Sequence, residues 1–309
     1  MVCLKMSCLT VLLPTYNGVL YLQSMLDSVF LQTFNSIIVA RDDGSTDKTC
    51  QVLSSFADRL EVLSAGLENV GILQNINMLA RASNSSFLAF ADQDDVWEPD
   101  KLAAQMDVMR QMEGRYGSRT PLLVHSDLAV CDANMRLIAP SFWKFQRLNP
   151  QVEAFSRLLV QNNVTGCTVL INRALADLAF PIPREAVMHD WWLALVASAA
   201  GKIGFVPRPL VRYRQHGANQ IGAVSGSFLG AIRRLKRIDP KASLRLGQRQ
   251  ARAFYDRFNG VSGMEHAVDI AKKYADISQN NYLSRISILY RNNILAQNYI
   301  RNIGLFFYI

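Results

Sequence analysis

Across its first 95 residues the chain alternates short apolar runs with stretches of helical periodicity, and few folds accept that pattern. Cys8–Leu13 (CLTVLL) predicts a buried strand, and Val19–Leu31, apolar at 19, 22, 26, 29 and 30, predicts an amphipathic helix. Ser36–Ala40 (SIIVA) predicts a second strand. The next helix, capped by Ser45 or Thr46, runs through Val52, Leu53 and Phe56. Leu60–Ser64, Ile72–Ala82 and Phe87–Ala91 continue the series as strand, helix and strand. The order β-α-β-α-β-α-β predicts an α/β fold with a mostly parallel sheet and helices on both faces. In such sheets ligands bind in the crevice at the carboxyl ends of the strands.

Three polar clusters fall at that edge: Pro14–Gly18 (PTYNG), Arg41–Ser45 (RDDGS) and Asp92–Asp95 (DQDD). The last places Asp92, Asp94 and Asp95 directly after an apolar strand. Carboxylates so close repel one another unless a cation lies among them, and hard divalent cations take carboxylate oxygens. No G-x-G-x-x-G follows the first strand and no G-x-x-x-x-G-K-[ST] occurs. A dinucleotide or P-loop triphosphate site is therefore disfavoured, and phosphates would have to be met through a metal.

The chain has 309 residues, half of them hydrophobic. That is enough for a full α/β core with an accessory region, and too apolar for disorder. The cysteines (Cys3, Cys8, Cys50, Cys131, Cys167) are odd in number and form no C-x-x-C pair. They predict neither a disulfide framework nor a zinc site, and so a reducing, cytoplasmic setting. The apolar run Met6–Leu13 ends in Pro-Thr-Tyr-Asn rather than a cleavage site, and no run of 18 apolar residues exists. Neither a signal peptide nor a spanning helix is expected. Net charge is +8, and residues 231–309 hold 14 Lys/Arg against 5 Asp/Glu. The excess sits in the tail, which predicts an anionic partner: a membrane surface, a nucleic acid or an acidic protein.

Leu13-Pro14-Thr15-Tyr16-Asn17, Asp42-Asp43-Gly44-Ser45 and Asp92-Gln93-Asp94-Asp95 followed by Pro99 together resemble a family 2 glycosyltransferase of the GT-A fold. The resemblance covers roughly residues 8–220. The run DQDDVW, with His189-Asp190-Trp191-Trp192 and Tyr213-Arg214-Gln215-His216, is closest to rhamnosyltransferase-like members that build surface polysaccharides.

The resemblance implies a role for each matching residue. Pro14 and Tyr16 would lie beside the pyrimidine of a nucleoside diphosphate sugar, and Asp43 would accept its imide N–H. Asn77 and Gln93 would touch the donor; Ile76 stands where many members carry Arg. Asp92 would bind the ribose. Asp94 and His216 would hold Mn²⁺ or Mg²⁺, with Asp95 in support, and imidazole favours Mn²⁺. Gly166, in a small-residue turn before a strand at 168–171, and Trp191 would face the sugars. Asp190 would be the base of an inverting transfer. His189 replaces the Glu usual before that Asp. Arg212 and Arg214, alternating on one strand, could meet phosphate.

The expected division is a GT-A catalytic domain over 1–224 and a basic helical region over 225–309. In the latter, Arg233–Arg237, Arg245, Arg249 and Arg252 supply charge. Ile286, Ile288, Leu289, Ile294 and Leu295 supply an apolar face. Such helices lie on anionic membranes and would suit a glycan or lipid-linked acceptor; a solvated bundle or a homo-oligomer interface is the alternative. The expected function is rhamnosyl transfer from dTDP-L-rhamnose, at the inner face of a plasma membrane. The rival enzyme, a nucleotidyltransferase, would want a Gly-rich basic loop that PTYNG lacks. A nucleic-acid-binding protein would leave the acidic edge unexplained, and no nucleic acid partner is expected. A catalytically dead sugar-binding relative would not need the intact Asp94 and Asp190.

Overall fold

The computed structural model describes residues 8–64, 68–216 and 240–309. Cys3, the start of the Met6–Leu13 run, the Arg233–Arg237 run and the expected boundary at 225 lie outside the described residues.

The strands are β1 (Leu9–Thr15), β2 (Ile37–Asp42), β3 (Glu61–Val62), β4 (Phe87–Phe90), β5 (Val96–Trp97), β6 (Leu122–Cys131), β7 (Leu137–Ala139), β8 (Leu170–Asn172) and β9 (Lys202–Arg214). The helices are α1 (Leu22–Phe30), α2 (Thr49–Ser55), α3 (Ile72–Ala82), α4 (Lys101–Tyr116), α5 (Phe142–Gln146), α6 (Phe155–Leu158), α7 (Arg173–Ala179) and α8 (His189–Ala200). After them come α9 (Pro240–Phe258), α10 (Glu265–Ala275), α11 (Tyr282–Arg291) and α12 (Tyr299–Tyr308). Among the described residues the strands form one sheet in the order β3-β2-β1-β4-β8-β6-β9-β5, with β7 on β6.

The first half of this sheet is parallel, as the helical crossovers between β1, β2, β3 and β4 demand. Beyond β4 the sheet is mixed. β8 pairs antiparallel with both β4 and β6, β9 runs parallel to β6, and β5 returns antiparallel on β9. Pro14 is tolerated inside the central strand β1 because pairing with β4 ends at Leu12, so its missing N–H interrupts no ladder there.

Side chains of the buried strands divide by period two. Leu9, Val11 and Leu13 join Ile38, Ala40, Phe87 and Ala89 in a core under α1 and α4. Leu12, Val39, Leu88 and Phe90 join the opposite core, under α3, α7 and α8.

That second core also takes in the C-terminal helices. Phe254 and Phe258 of α9 meet the fully buried Trp192 of α8 at ring separations of 5.9 and 6.0 Å, and Phe254 lies 4.7 Å from Phe155. Arg257 donates to the carbonyls of Leu178 (3.0 Å) and Phe180 (2.7 Å) at the end of α7. Residues 240–309 therefore share a core with the sheet. Leu289 and Ile294 of the expected membrane face point inward, and Ile286, Ile288 and Leu295 are half-buried. The exposed apolar side chains of α11 and α12 are others.

The expected cap of α2 also differs. Lys48 is its N-cap, and Asp47 Oδ1 accepts from the Thr49 amide at 2.9 Å, while Ser45 and Thr46 turn towards the first loop. Phe254→Ala should cost about 3–5 kcal/mol by opening the shared core, read as a lower midpoint of one urea transition. A separate early transition, leaving the rest unmoved, would instead reveal two independent cores.

Candidate active site

The carboxyl ends of β1, β2 and β4 form one rim, stitched together by hydrogen bonds between their loops. The Asp43 amide donates to Thr15 O (2.8 Å), the Asn17 amide to Ser45 Oγ (2.7 Å) and the Thr46 amide to Asn17 Oδ1 (2.8 Å). Gln93 grips Tyr16 twice: the Tyr16 amide donates to its Oε1 and its Nε2 donates to the Tyr16 carbonyl, both at 2.9 Å. Gly18 lies directly beneath, where a Cβ would come within 2.2 Å of Gln93 Oε1. The Tyr16 side chain, 46% exposed, projects from this frame, whereas Pro14 is buried within β1.

Asp42 and Asp43 are both buried. Burial pushes the Asp42 carboxyl up, but donors from Ser45, Cys50 and Thr15 outweigh it and hold it below the ordinary carboxylate range. Asp43 accepts from Arg41 Nη1 (3.1 Å), the Val70 amide (3.1 Å) and the Gly71 amide (2.9 Å). It anchors the turn into α3, whose N-cap Gly71 has φ +82°.

The acidic loop after β4 meets the end of β9, because β5 pairs with β9 immediately beyond it. Asp94 Oδ2 lies 2.7 Å from His216 Nε2, and both side chains are 16% exposed, so they open to the cleft. The Arg214 amide donates to Asp95 Oδ1 (3.0 Å) and its Nε to the Asp94 carbonyl (2.8 Å). Its guanidinium sits 4.4 Å from the Tyr21 ring, which lies 4.9 Å from the His216 ring. Asp95 is fully buried, and its Oδ2 has no hydrogen-bond partner. Burial and the charges of Asp94 and Asp190 push Asp92 up to about 7. Burial with Asp92 and Asp94 drives Asp95 well above the ordinary range. Ligand atoms of Asp92, Asp95 and Cys167 lie within 4.8 Å of one another. Beneath them Lys101, fully buried, stacks its ammonium 3.5 Å from the Trp97 ring. Burial lowers it to about 7, while Cys167 and Asp95 act to keep it charged.

Asp190 lies in the first turn of α8, past the N-cap Met188. Burial raises it to about 7 against hydrogen bonds from the Trp191 and Gly166 amides. A Cβ at Gly166 would come within 3.9 Å of Asp190 Cβ, and the next residue, Cys167, lies with Asp92 and Asp95, so the Asp190 charge is felt at Asp92. His189 is buried against Gly166, where a Cβ would come within 2.7 Å of its Nε2; burial lowers it to about 4 and keeps it neutral.

The structure thus gathers Tyr16, Gln93, Asp92, Asp94, Asp95, His216, Gly166 and Asp190 around one rim, while other expected contacts are taken up within the chain. Asn77 clamps Ile182, donating from Nδ2 to its carbonyl (2.9 Å) and accepting its amide (2.7 Å). Trp191 donates its indole N–H to Leu158 O (2.6 Å), and Trp192 is core. Arg212 pairs with Glu98 (2.8 Å) and Arg214 with backbone carbonyls, so neither is set aside for phosphate. Sequence reasoning missed Tyr21, Lys101 and Cys167. A lysine opening a helix carries no signal of burial; only its place two residues after Pro99 at the DQDD loop hints at it.

Comparison with known proteins supports a glycosyltransferase. Residues 10–119 match the sequence profile described as glycosyl transferase family 2. The chain is a glycosyltransferase of the GT-A fold, and over residues 10–119 it is similar to family 2. It is 26% identical over 221 residues to an uncharacterized glycosyltransferase of Nostoc sp., covering 68% of this chain and 66% of that one. It is also 26% identical over 239 residues to the dTDP-rhamnosyl transferase RfbG of Shigella flexneri, covering 72% and 78%. S. aureus TarS in complex with UDP-GlcNAc shares the fold, with TM-score 0.57, 17% identity and coverage of 87% of this chain and 72% of that one. So does the mannosyltransferase PcManGT from Pyrobaculum calidifontis in complex with GDP-Man and Mn²⁺, with TM-score 0.52, 15% identity and coverage of 94% and 80%.

Within this glycosyltransferase the donor set at the rim, carboxylates with one imidazole, suits Mn²⁺ or Mg²⁺. The unpartnered Asp95 Oδ2 and the raised carboxyls of Asp92 and Asp95 fit a cation-binding cluster. Gly18→Ala should break the Gln93–Tyr16 clamp and cost about 1–2 kcal/mol of stability, measured by urea unfolding. Gly18→Ala/Gln93→Ala should lose no more than Gln93→Ala alone, because the clash disappears with the side chain.

Proposed function

We propose that this glycosyltransferase moves a sugar from a nucleoside diphosphate donor to an acceptor hydroxyl by a single inverting displacement, with Asp190 as base. One observation carries the reading: a buried carboxyl raised to about 7 shares a cleft with the acidic rim. A base poised near neutral pH accepts a hydroxyl proton as the oxygen attacks, and returns it to solvent afterwards. The amides of Trp191 and Gly166 hold the Asp190 carboxylate in place.

On the donor side, Tyr16 offers its ring to a pyrimidine, and Gln93 fixes the backbone that carries it. Asp43 has three donors on two oxygens, which leaves acceptor capacity for an imide N–H. Asp92 faces the cleft for a ribose hydroxyl. Asp94 and His216, supported by Asp95, would hold Mn²⁺ or Mg²⁺, which when bound offsets the charge that develops on the departing diphosphate. For the sugar we propose L-rhamnose from dTDP-L-rhamnose, supported by the likeness to RfbG of Shigella flexneri. The acceptor is a glycan or lipid-linked glycan. A donor screen by nucleoside diphosphate release tests this, and dTDP-L-rhamnose should turn over fastest.

Asp190→Asn should lower kcat by about 10²–10⁴-fold with little change in donor KM. The wild-type rate should rise with pH to a plateau above about 7, because the base is protonated below the value set by burial. Wild-type turnover by Asp190→Asn would remove it as base. Chelation should abolish turnover and Mn²⁺ should restore it, whereas Asp94→Ala should respond to neither. Full turnover of Asp94→Ala, or of the chelated wild type, would refute the metal assignment.

A further inference from the structure

The segment between α7 and α8 delivers the chain to Asp190, and α9 grips it at both ends. At its beginning Arg257 donates to the carbonyls of Leu178, Phe180 and Pro181. At its end the Val187 amide donates to Gln250 Oε1 at 2.8 Å. Between them Asn77 clamps Ile182. Gln250, Phe254 and Arg257 follow one another at helical spacing, so they share one face of α9. Phe254 packs on Trp192, two residues beyond Asp190.

Gln250 is fully buried, and its Nε2 has no hydrogen-bond partner. A buried donor left unpaired carries a desolvation penalty. A methionine of similar length would fill the same space without it. What the glutamine adds is one acceptor oxygen, aimed at the entry to α8. That entry has little else to hold it. The first amides of a helix lack partners within it, and the N-cap Met188 makes no side-chain cap.

We propose that Gln250 is a positioning residue for the transfer: it fixes the backbone at Val187, three residues before Asp190, and so keeps the carboxyl at its distance from the acceptor hydroxyl. The inference rests on Asp190 as the base. From Val187 the constraint passes into the first turn of α8, where the Trp192 amide donates to Met188 O (3.1 Å) and the Trp191 amide to Asp190 Oδ1 (2.6 Å). Beyond that turn α8 is buried from Trp192 to Ala197. Releasing Val187 therefore loosens the end that carries the base and leaves the rest of the helix packed. A displacement of about 1 Å near a reacting group can cost about 10²-fold in rate. The C-terminal helices thereby serve the site as well as the core.

Gln250→Met removes the oxygen and keeps the bulk. It should lower kcat about 10- to 10²-fold with donor KM within about twofold, because Tyr16 and Asp43 are untouched. Gln250→Glu keeps an acceptor oxygen and should hold kcat within about threefold. In an Asp190→Asn background Gln250→Met should cost nothing further, since no base is left to position. An equal loss in both backgrounds, a loss in KM alone, or a Glu variant no faster than the Met variant would each overturn the proposal. In the wild type the Val187 amide should exchange hydrogen as slowly as the buried middle of α8. Exchange at the rate of an open loop would overturn the proposal without any variant. Wild-type turnover by Asp190→Asn would overturn the base and this proposal together. Loss in Asp190→Asn with none in Gln250→Met would overturn this proposal alone and leave the base in place.

Discussion

Four carboxylates held in one cleft repel one another, and the surrounding structure is arranged to contain that repulsion. Asp92 feels Asp94 and Asp190; Asp95 feels Asp92 and Asp94. Two unit charges 4 Å apart interact by about 4 kcal/mol at an effective dielectric of 20, enough to neutralise a buried carboxylate unless something positive answers it. The fold supplies several answers from different directions. The Arg214 amide and guanidinium reach Asp95 and the Asp94 carbonyl from the end of β9, and His216 touches Asp94. Lys101 lies beneath, where burial alone would discharge it and Cys167 and Asp95 oppose that loss. Burial nevertheless moves Lys101 down and Asp92, Asp95 and Cys167 up, each toward its neutral form.

Geometry for this cluster comes from rigid elements. β9 runs beside β6 through register shifts at Ser126 and Asp127, which re-aim its second half. That half then pairs with β5, immediately after the acidic loop, and the pairing delivers Arg214 and His216 to acids some 120 residues earlier. On the other side, α8 is buried along nearly its whole length, from His189 to Ala197. A carboxyl in its first turn has little freedom, which suits the role of base proposed for Asp190.

Much of this was legible in the sequence and some could not be. The strand and helix order, the shared edge of PTYNG, RDDGS and DQDD, and the meeting of Asp94 with His216 follow from periodicity and from the family resemblance. Periodicity speaks of which face a residue occupies, not of its hydrogen-bond partner. Hence Gln93 and Asn77, both expected on the donor, turn out to bind backbone at Tyr16 and at Ile182. Arg212 and Arg214 alternate as expected, yet Glu98 and the Asp94 carbonyl take them. The tail erred for a related reason. Its basic, mixed composition gave an amphipathic helix but not which apolar side faces the core, and Leu289 and Ile294 proved to be inside while Leu283 and Phe307 are outside.

An acidic cleft that is to receive a nucleoside diphosphate presents an electrostatic contradiction, since donor and site carry the same sign. Under the proposed function the contradiction resolves through linkage. A cation held by Asp94 and His216 would offset the repulsion a diphosphate meets there, and the diphosphate would offer that cation further oxygen ligands. Whatever factor the cation contributes to donor affinity, the donor must return to cation affinity, because the two describe one coupling free energy. Burial and mutual repulsion raise Asp92 and Asp95, and a bound cation would oppose that repulsion. Asp190 is tied to the same balance. Its charge adds to the repulsion at Asp92 that a cation would relieve.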